Sequence, residues 1–362
     1  MIRGERHGPW AATLRGGLTL ASGLYRCGSA LRGAAYQSGI LRAVRPRVPV
    51  ISVGNLTTGG TGKTPLVIHL ARALQQRGAR VAVLARGYGA QRDGQLNDEL
   101  LLIREEVPEL LLFPGRDRAA RAGEAVQAGA TLLLLDDGFQ HRKVARDLDL
   151  VLVDASDPWG PGGLLPRGLL REPRSALRRA SLVLITRAEL ASPERLSALE
   201  AEVRGAGYHG AIGRLYVVPR ELRALDRRAD PAPLETLRRA KVLAACAIGN
   251  PEAFRGTLLS LGARVQELLA FPDHAPLGPG TVEAVEAQAR RAGADRVIVT
   301  HKDAVKLRPH LEPGPDRPSR PVPWWALTMD VRADPEDVLA PVLALVSPPL
   351  GQGAGEESGR HA

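Results

Sequence analysis

Residues 48–64 read VPVISVGNLTTGGTGKT, and this segment decides the fold. The apolar residues Val48 to Val53 predict a short buried strand, and apolar positions near a 3.6-residue spacing predict a helix from Thr64 to Arg77. The loop between them contains TGGTGKT at residues 58–64. Such a glycine-rich loop lets backbone N–H groups surround phosphate oxygens at a helix N-terminus. The segment therefore predicts a P-loop that binds a nucleotide.

Two residues of the loop have specific predicted roles. Lys63 is expected to reach the β and γ phosphates, and Thr64 is expected to bind Mg²⁺. The strict pattern has glycine at position 57, where this chain has Thr57. The predicted nucleotide-binding residues are Thr57, Thr58, Gly59, Gly60, Thr61, Gly62, Lys63 and Thr64.

A second motif lies at residues 132–137, where four leucines precede Asp136 and Asp137. An apolar strand of this kind delivers carboxylates to the edge of the sheet that carries the P-loop. That is the Walker B arrangement, which holds Mg²⁺ directly or through water. Asp136 and Asp137 are therefore predicted metal ligands.

The rest of the chain alternates apolar runs with helical patterns. Further strands are predicted at Arg80 to Ala85, Ala130 to Leu135, Leu148 to Asp154 and Ser181 to Thr186. The pattern restarts with a strand at Lys241 to Ile248, a helix at Glu252 to Leu261, a strand at Val297 to Thr300 and a helix at Pro335 to Leu345. Strands that end in polar residues and alternate with helices indicate a parallel sheet with functional groups at its carboxyl edge. We predict an α/β fold: a P-loop NTPase-like parallel sheet with helices on both faces, plus a second, smaller α/β domain.

The predicted domain organisation has four parts. At 362 residues the chain is longer than one hydrophobic core usually supports. Arg214 to Pro219 and Trp324 to Met329 are predicted to be extended segments that connect the two domains. The parts are an interfacial arm at 1–36, a P-loop domain at 37–215, a second α/β domain with the linking strands at 216–346, and a disordered tail at 347–362.

Charge and cysteine content narrow the possible partners and compartment. The net charge is +10, and no acidic residue occurs between Glu5 and Asp93. That stretch suits nucleotide phosphates, lipid headgroups or nucleic acid, and a solvated basic face is also compatible with it.

Cys27 and Cys246 have neither metal-ligand nor disulfide spacing, which favours a reducing compartment. Aromatic residues make up 4% of the chain and no nucleic-acid motif occurs, so a nucleic-acid partner is disfavoured.

The N-terminal arm combines leucines, aromatic residues and arginines from about Trp10 to Tyr36. A helix of this composition can lie in the headgroup region of a membrane. An amphipathic helix that packs on the protein's own core would have the same pattern. The arm has no clean signal peptide, and no segment reaches the roughly 20 apolar residues that span a bilayer.

The order of the motifs resembles that of the tetraacyldisaccharide 4'-kinase family. Val53 to Pro65 is similar to that family's P-loop, including the absent first glycine and the proline after Thr64. DDGFQH at residues 136–141 is similar to the family's most specific signature. Other matching segments are Arg86 to Gly89, Arg146 to Asp149, Leu164 to Pro166, Leu170 to Pro173, Ile248 to Pro251, Phe271 to His274 and Lys302 to Lys306. The resemblance covers the chain from about Leu24 to Leu307.

The resemblance implies roles for individual residues. Asp98, in Asn97 to Leu100, matches the implicated catalytic base, and His274 matches the histidine that the family pairs with it. His301 departs from the glutamate that the family usually has there. The implied catalytic residues are Asp98, His274 and Lys63; the implied metal ligands are Thr64, Asp136, Asp137 and Glu172; and the implied substrate contacts are Arg86, Tyr88, Gln140, His141 and Arg171.

The activity implied by the resemblance is transfer of phosphate from ATP, with Mg²⁺, to the 4' hydroxyl of a tetraacyl disaccharide 1-phosphate in lipid A biosynthesis. The implied partners are this membrane glycolipid and an anionic membrane surface, without nucleic acid or an obligate protein partner. The implied location is the cytoplasmic face of the bacterial inner membrane, with peripheral or monotopic attachment.

One alternative is a P-loop ATPase of the partitioning or metal-insertion type, which acts without a lipid acceptor. Its P-loop also contains Gly-Gly-x-Gly-Lys-Thr. Such proteins usually have a signature lysine where this chain has Thr58, and they lack the DDGFQH signature at residues 136–141.

Overall fold

Helices and strands alternate along most of the chain in the computed structural model, which describes residues 9–87, 96–226, 229–272, 275–311 and 321–346. Within these ranges the α-helices are α1 (Pro9–Gln37), α2 (Lys63–Gln76), α3 (Asp98–Glu106), α4 (Arg118–Gln127), α5 (Pro193–Gly205), α6 (Pro251–Ser260), α7 (Pro279–Arg291), α8 (His301–Leu311) and α9 (Ala340–Leu343). The strands are β1 (Val50–Asn55), β2 (Val81–Ala85), β3 (Leu111–Pro114), β4 (Leu132–Asp136), β5 (Leu148–Asp154), β6 (Leu182–Thr186), β7 (Ala211–Ala224), β8 (Lys241–Cys246), β9 (Arg264–Ala270), β10 (Arg296–Thr300) and β11 (Trp324–Asp334). Short 3-10 helices lie at Arg174–Arg179, Ala188–Leu190, Leu234–Leu237 and Glu336–Leu339.

These strands form one 11-stranded sheet in the order β3-β2-β4-β1-β5-β6-β7-β11-β10-β8-β9. Neighbouring strands in this order are parallel, except that β11 runs antiparallel to β7. The predicted α/β, P-loop NTPase-like fold is confirmed, with a mixed and mostly parallel sheet.

The antiparallel pair sets how the two parts of the sheet face each other. β6 pairs with the first residues of β7, up to Leu215, whereas β11 pairs with β7 as far as Ala224. β10 pairs with the first residues of β11, from Trp324 to Leu327. Because β11 runs back along β7, the carboxyl end of β10 points toward the carboxyl ends of the P-loop strands. α8 follows β10 directly and therefore packs against α3, which belongs to the P-loop part of the chain.

The predicted elements have close counterparts in the structure. The strand predicted at Val48 to Val53 is β1, and the helix predicted at Thr64 to Arg77 is α2. The two predicted extended segments are parts of β7 and β11. The helix predicted at Pro335 to Leu345 is a 3-10 turn at Glu336–Leu339 followed by α9.

The domain boundaries stay a prediction. The boundary between residues 215 and 216 falls inside β7, which belongs to the continuous sheet. The tail at 347–362 lies outside the described residues, as do residues 1–8 of the arm.

The core lies on both faces of the P-loop strands. The four leucines at 132–135 are fully buried, as expected for a strand inside a parallel sheet covered by helices. α2 packs on one face through the buried side chains of Leu66, Leu70 and Leu74. Each such leucine contributes about 1.5–3 kcal/mol through burial. This packing fixes the start of α2, and thus the P-loop, at the carboxyl edge.

α1 contacts the rest of the protein along one side. Ser22 Oγ donates to Leu164 O at 3.0 Å, and the Tyr25 hydroxyl donates to Arg171 O at 3.0 Å. The other side is exposed, with Leu20 at 72%, Leu24 at 71% and Leu31 at 72% of full exposure. Among the described residues, no helix is both long and apolar enough to cross a membrane.

Candidate active site

The P-loop connects the end of β1 to the start of α2. Gly62 caps α2 in the left-handed region, with φ 80°, where glycine is favoured because it lacks a Cβ. Two side chains at the end of β6 hold the loop by its carbonyls: Thr186 Oγ1, from the last residue of the strand, donates to Thr61 O at 2.9 Å, and Arg187 Nη2, from the next residue, donates to Gly60 O at 2.9 Å. These two hydrogen bonds hold the backbone of the loop in its conformation.

The ammonium of Lys63 lies between an amide and a carboxylate. Its Nζ donates to Asn55 Oδ1 at 3.2 Å and lies 3.6 Å from Asp137 Oδ1. Asn55 is itself fixed, because its Nδ2 donates to Thr57 O at 2.9 Å. Lys63 of the predicted P-loop and Asp137 of the 132–137 motif are therefore neighbours; their roles in binding nucleotide and metal stay predictions.

Asp136 ends β4 and is buried without an ion-pair partner among the described residues. Burial raises the pKa of Asp136 to about 6, the nearby negative charges of Glu99 and Asp137 act in the same direction, and Lys63 opposes the shift. The contribution of Glu99 also shows that the first turn of α3 lies near this edge of the sheet. A carboxyl group with a raised pKa is common at functional sites.

Asp137 has a left-handed backbone, with φ 51°, and two arginines bind it. Arg171 Nη1 lies 2.7 Å from Asp137 Oδ2, and Arg118 Nη1 donates to the Asp137 carbonyl at 2.9 Å. Burial works against the ionised carboxylate, but the charges of Lys63 and Arg171 outweigh it and lower the pKa of Asp137. Asp137 is therefore held as a carboxylate within a cluster of cations.

The turn after these aspartates packs tightly against β1. A Cβ at Gly54 would lie 2.7 Å from Phe139 N, so glycine is required for this approach. Gln140 Nε2 donates to Asn55 O at 3.0 Å, which ties the turn to the P-loop strand. Arg146 donates to the carbonyls of Phe139 at 3.0 Å and His141 at 2.8 Å. Gln140 is thus fixed to Asn55, the residue whose side chain accepts from Lys63.

His141 is half-buried among cations. Its Nε2 is buried and has no hydrogen-bond partner among the described residues. Burial and the charges of Arg118 and Arg146 lower the pKa of His141 to about 4. The imidazole is therefore neutral at physiological pH and can offer one ring nitrogen as an acceptor.

The predicted base, Asp98, is the first residue of α3. Its Oδ2 lies 3.0 Å from Lys306 Nζ of α8. Asn97 caps the helix by accepting from Leu100 N at 3.0 Å, which fixes where the helix begins. His274 and Tyr88 lie outside the described residues, so the pairing of Asp98 with His274 stays a prediction.

The remaining predicted residues lie around this cluster. Arg86, just after β2, is close enough for its charge to lower the pKa of Arg118, although burial of Arg118 is the larger cause. The Glu172 carboxylate is held by Arg179 at 2.7 Å, with Arg142 at 3.7 Å. In this structure Glu172 therefore interacts with arginines, and its role as a metal ligand stays a prediction.

Sequence reasoning missed four residues of this edge: Asn55, Arg118, Thr186 and Arg187. For Thr186 and Arg187 a signal was present, because they follow an apolar run that predicted a strand ending at this edge. Arg118 had no such signal, since it opens α4 and reaches Asp137 through tertiary packing.

The sheet, with a glycine-rich loop between β1 and α2, is that of a P-loop NTPase-like protein. Comparison with known proteins defines the family. The family model described as Tetraacyldisaccharide-1-P 4'-kinase matches residues 14–347. The tetraacyldisaccharide 4'-kinase of Anaeromyxobacter dehalogenans (strain 2CP-1 / ATCC BAA-258) is 45% identical over 326 residues, covering 86% of each chain. That of Geobacter sulfurreducens is 36% identical over 349 residues, covering 92% of this chain and 93% of the relative.

A solved structure agrees with these matches. The crystal structure of LpxK from Aquifex aeolicus in complex with ATP superposes with a TM-score of 0.71 at 28% identity, covering 92% of this chain and all of that chain. The chain belongs to the tetraacyldisaccharide 4'-kinase family, the kinases of lipid A biosynthesis. This membership decides against the partitioning or metal-insertion ATPase.

Proposed function

We propose that this chain transfers the γ-phosphoryl group of ATP to the 4' hydroxyl of a tetraacyl disaccharide 1-phosphate. The observation that carries the proposal is the position of Lys63, 3.6 Å from a carboxylate oxygen of Asp137 at the carboxyl edge of the sheet. Catalysis of phosphoryl transfer consists largely of charge stabilisation and in-line positioning. Family membership supplies the acceptor class.

The nucleotide binds at the P-loop, residues 57–64. Backbone N–H groups and the N-terminus of α2 favour the phosphates, and Lys63 neutralises the charge that develops between the β and γ positions. Arg171 and Arg118 lie on the other side of Asp137 and add positive charge at the same place. Asp137 is only partly exposed, so water screens this region less than the open surface. The cations therefore attract an anionic ligand more strongly here than they would in bulk water.

The residues at this edge fit a magnesium ion. Asp136 Oδ1 and Asp137 Oδ1 are both buried, and within the described part of the chain neither accepts a hydrogen bond. Mg²⁺ prefers one or two carboxylates together with substrate phosphates and water. Thr64, Asp136 and Asp137 would hold it, and when bound it would neutralise the phosphate oxygens. Glu172 would join them by leaving Arg179 and Arg142.

The proton of the acceptor hydroxyl goes to Asp98. A positioned carboxylate of this kind contributes about 10² to 10⁴ in rate. As the 4' oxygen bonds to the γ phosphorus, the bond from that phosphorus to the bridging oxygen breaks and ADP leaves. His274, from the second part of the chain, orients the base.

The acceptor site lies beside the nucleotide. Arg171 binds Asp137 and lies 3.5 Å from Gln140, whereas Arg86 and His141 lie near Arg118. Tyr88 lies two residues after Arg86 in the chain. Arg171 also connects this region to α1, because its carbonyl accepts from the Tyr25 hydroxyl. α1 is therefore held next to the site where the sugar would react, with its leucines on the side that faces away from the protein.

α1 docks on the membrane through three exposed leucines, which we name the leucine face: Leu20, Leu24 and Leu31. They fall on one side of the helix at i, i+4 and i+11, opposite Ser22, which contacts the protein. Arg32, on the flank of the leucine face, can reach anionic headgroups and contribute about 1 kcal/mol. Because the acceptor's acyl chains stay in the bilayer, we place the enzyme at the cytoplasmic face of the inner membrane, attached peripherally or monotopically.

The test is transfer of label from γ-labelled ATP to tetraacyl disaccharide 1-phosphate in anionic vesicles. We expect labelled lipid with the full chain, and at least a ~10²-fold lower rate with Lys63→Ala, because a preorganised cation is lost. Lys241→Ala, which changes an exposed lysine at the start of β8, is the control and should keep the rate. ATP hydrolysis without labelled lipid would overturn the proposal.

A further inference from the structure

Lys306 connects the two parts of the chain at the predicted base. It lies in α8, after β10, and its Nζ is 3.0 Å from Asp98 Oδ2 at the start of α3. The same Nζ donates to the Ala275 carbonyl at 3.3 Å. Ala275 directly follows His274 in the sequence. One ammonium group therefore contacts the candidate base and the chain segment next to its candidate partner.

This contact differs from an ordinary surface ion pair. The Lys306 side chain is 12% exposed, whereas that of Asp98 is 38% exposed. Exposed ion pairs contribute little because water competes and the side chains stay mobile. Here the ammonium is largely shielded and has two fixed acceptors, so its position is defined. The carboxylate is the more open partner, as expected for the group that meets a substrate.

A second set of contacts holds the same two helices together. His301 Nε2 lies 3.3 Å from Glu105 Oε1 and 3.3 Å from Glu106 Oε1, and Arg308 also binds Glu105. These pairs join α8 to the far end of α3. α3 and α8 therefore have contacts that do not involve Lys306, and the pair between Lys306 and Asp98 acts on the first turn of α3.

We propose that Lys306 is a positioning residue for Asp98 in phosphoryl transfer. Its ammonium holds Oδ2 and leaves Oδ1 for the proton of the acceptor hydroxyl. Lys306 does not contact the acceptor itself. This inference rests on the proposed function, in which Asp98 is the base.

The prediction is a loss in kcat rather than in substrate binding. Lys306→Met keeps the length of the side chain but removes the charge, and we expect kcat to fall about 10- to 100-fold, the scale of a misplacement of about 1 Å. The KM for ATP should stay within about twofold, since the P-loop is untouched. Lys306→Arg keeps the charge and should recover part of the rate. Lys241→Met is the matched control and should behave as wild type.

A double-mutant cycle separates positioning from general support of the structure. In the Asp98→Asn background, Lys306→Met should cause little further loss, because the group that it positions is already gone. If Lys306→Met does not fold, as judged by circular dichroism, Lys306→Gln replaces it and keeps a donor for the Ala275 carbonyl. Full multiplicative losses in the double variant, or a wild-type kcat for Lys306→Met, would overturn the inference while Asp98 remains the base. A wild-type kcat for Asp98→Asn would overturn the base assignment and this inference together.

Discussion

Replacing Asp136 by asparagine should stabilise the ligand-free protein at neutral pH. Burial raises the pKa of Asp136 from 3.8 to about 6. A difference of roughly 2 pKa units corresponds to about 3 kcal/mol, which the folded protein loses when this carboxyl ionises. Because the folded pKa lies above the unfolded one, this stability is fully present below pH 3.8 and is lost as the pH rises through 6. Asparagine cannot ionise, so the Asp136→Asn protein keeps this stability as the pH rises.

The measurement is the Tm of both proteins in EDTA between pH 4 and 8. The advantage of Asp136→Asn should be small near pH 4, grow up to about pH 6 and then level off. For a chain of 362 residues, 3 kcal/mol corresponds to about 4 °C in Tm. Transfer to lipid should fall sharply in the same variant, because a proposed metal ligand is lost.

The control is Asp154→Asn at the end of β5, which is separated from β4 by β1 in the sheet. Asp154 is also buried, but Arg187 Nη1 lies 2.6 Å from its Oδ2. Neutralising it leaves a cation without its partner, so Tm should fall. The reasoning is refuted if Asp136→Asn lowers the Tm at pH 8, or if its gain in Tm does not depend on pH.

Two further predictions concern the membrane face and the P-loop strand. Serine at all three positions of the leucine face should reduce sedimentation with anionic vesicles at least tenfold, because each inserted leucine contributes about 1.5–3 kcal/mol. The control is Leu259→Ser on α6, which should sediment like the wild type. Unchanged sedimentation of the triple variant would exclude this face as the docking surface. Gly54→Ala should cost about 1–3 kcal/mol in urea unfolding, because its Cβ would lie 2.7 Å from Phe139 N. Gly60→Ala, where nothing lies within 4 Å, should leave stability nearly unchanged, and equal stability of the two variants would contradict the close approach.

Much of the P-loop half of the fold could be predicted because its signals are local. β1, β4, β5 and β6 are apolar runs, and their polar ends mark the edge where ligands bind. The reversal at β11 could not be predicted, since both linking segments were predicted as extended but strand direction depends on pairing with distant residues. The sequence therefore predicts which elements form better than how the two parts of the sheet face each other.

The residues of the candidate site likewise fall into those that local motifs predict and those that only tertiary packing brings together. Lys63, Asp136 and Asp137 belong to local motifs, and the structure brings them together at one edge. Lys306 lies more than two hundred residues from Asp98 in the chain, and no spacing rule connects them. His301 departs from the family pattern but has two glutamate partners on α3. Contacts of this kind depend on how α3 and α8 meet, which is a property of the whole sheet.

The cations of the P-loop edge are held in place by the protein's own side chains and backbone. Lys63 is bound by Asn55 and faces Asp137, and Arg187 is bound to Asp154 and to the P-loop backbone. Long charged side chains lose about 1.5–2 kcal/mol of conformational entropy when they are fixed. Since these side chains are fixed by folding, that entropy is not lost again when phosphates bind. Preorganised charge is also the form of electrostatic stabilisation that acts most strongly on a transition state. The same contacts that shape the P-loop therefore prepare it for phosphoryl transfer.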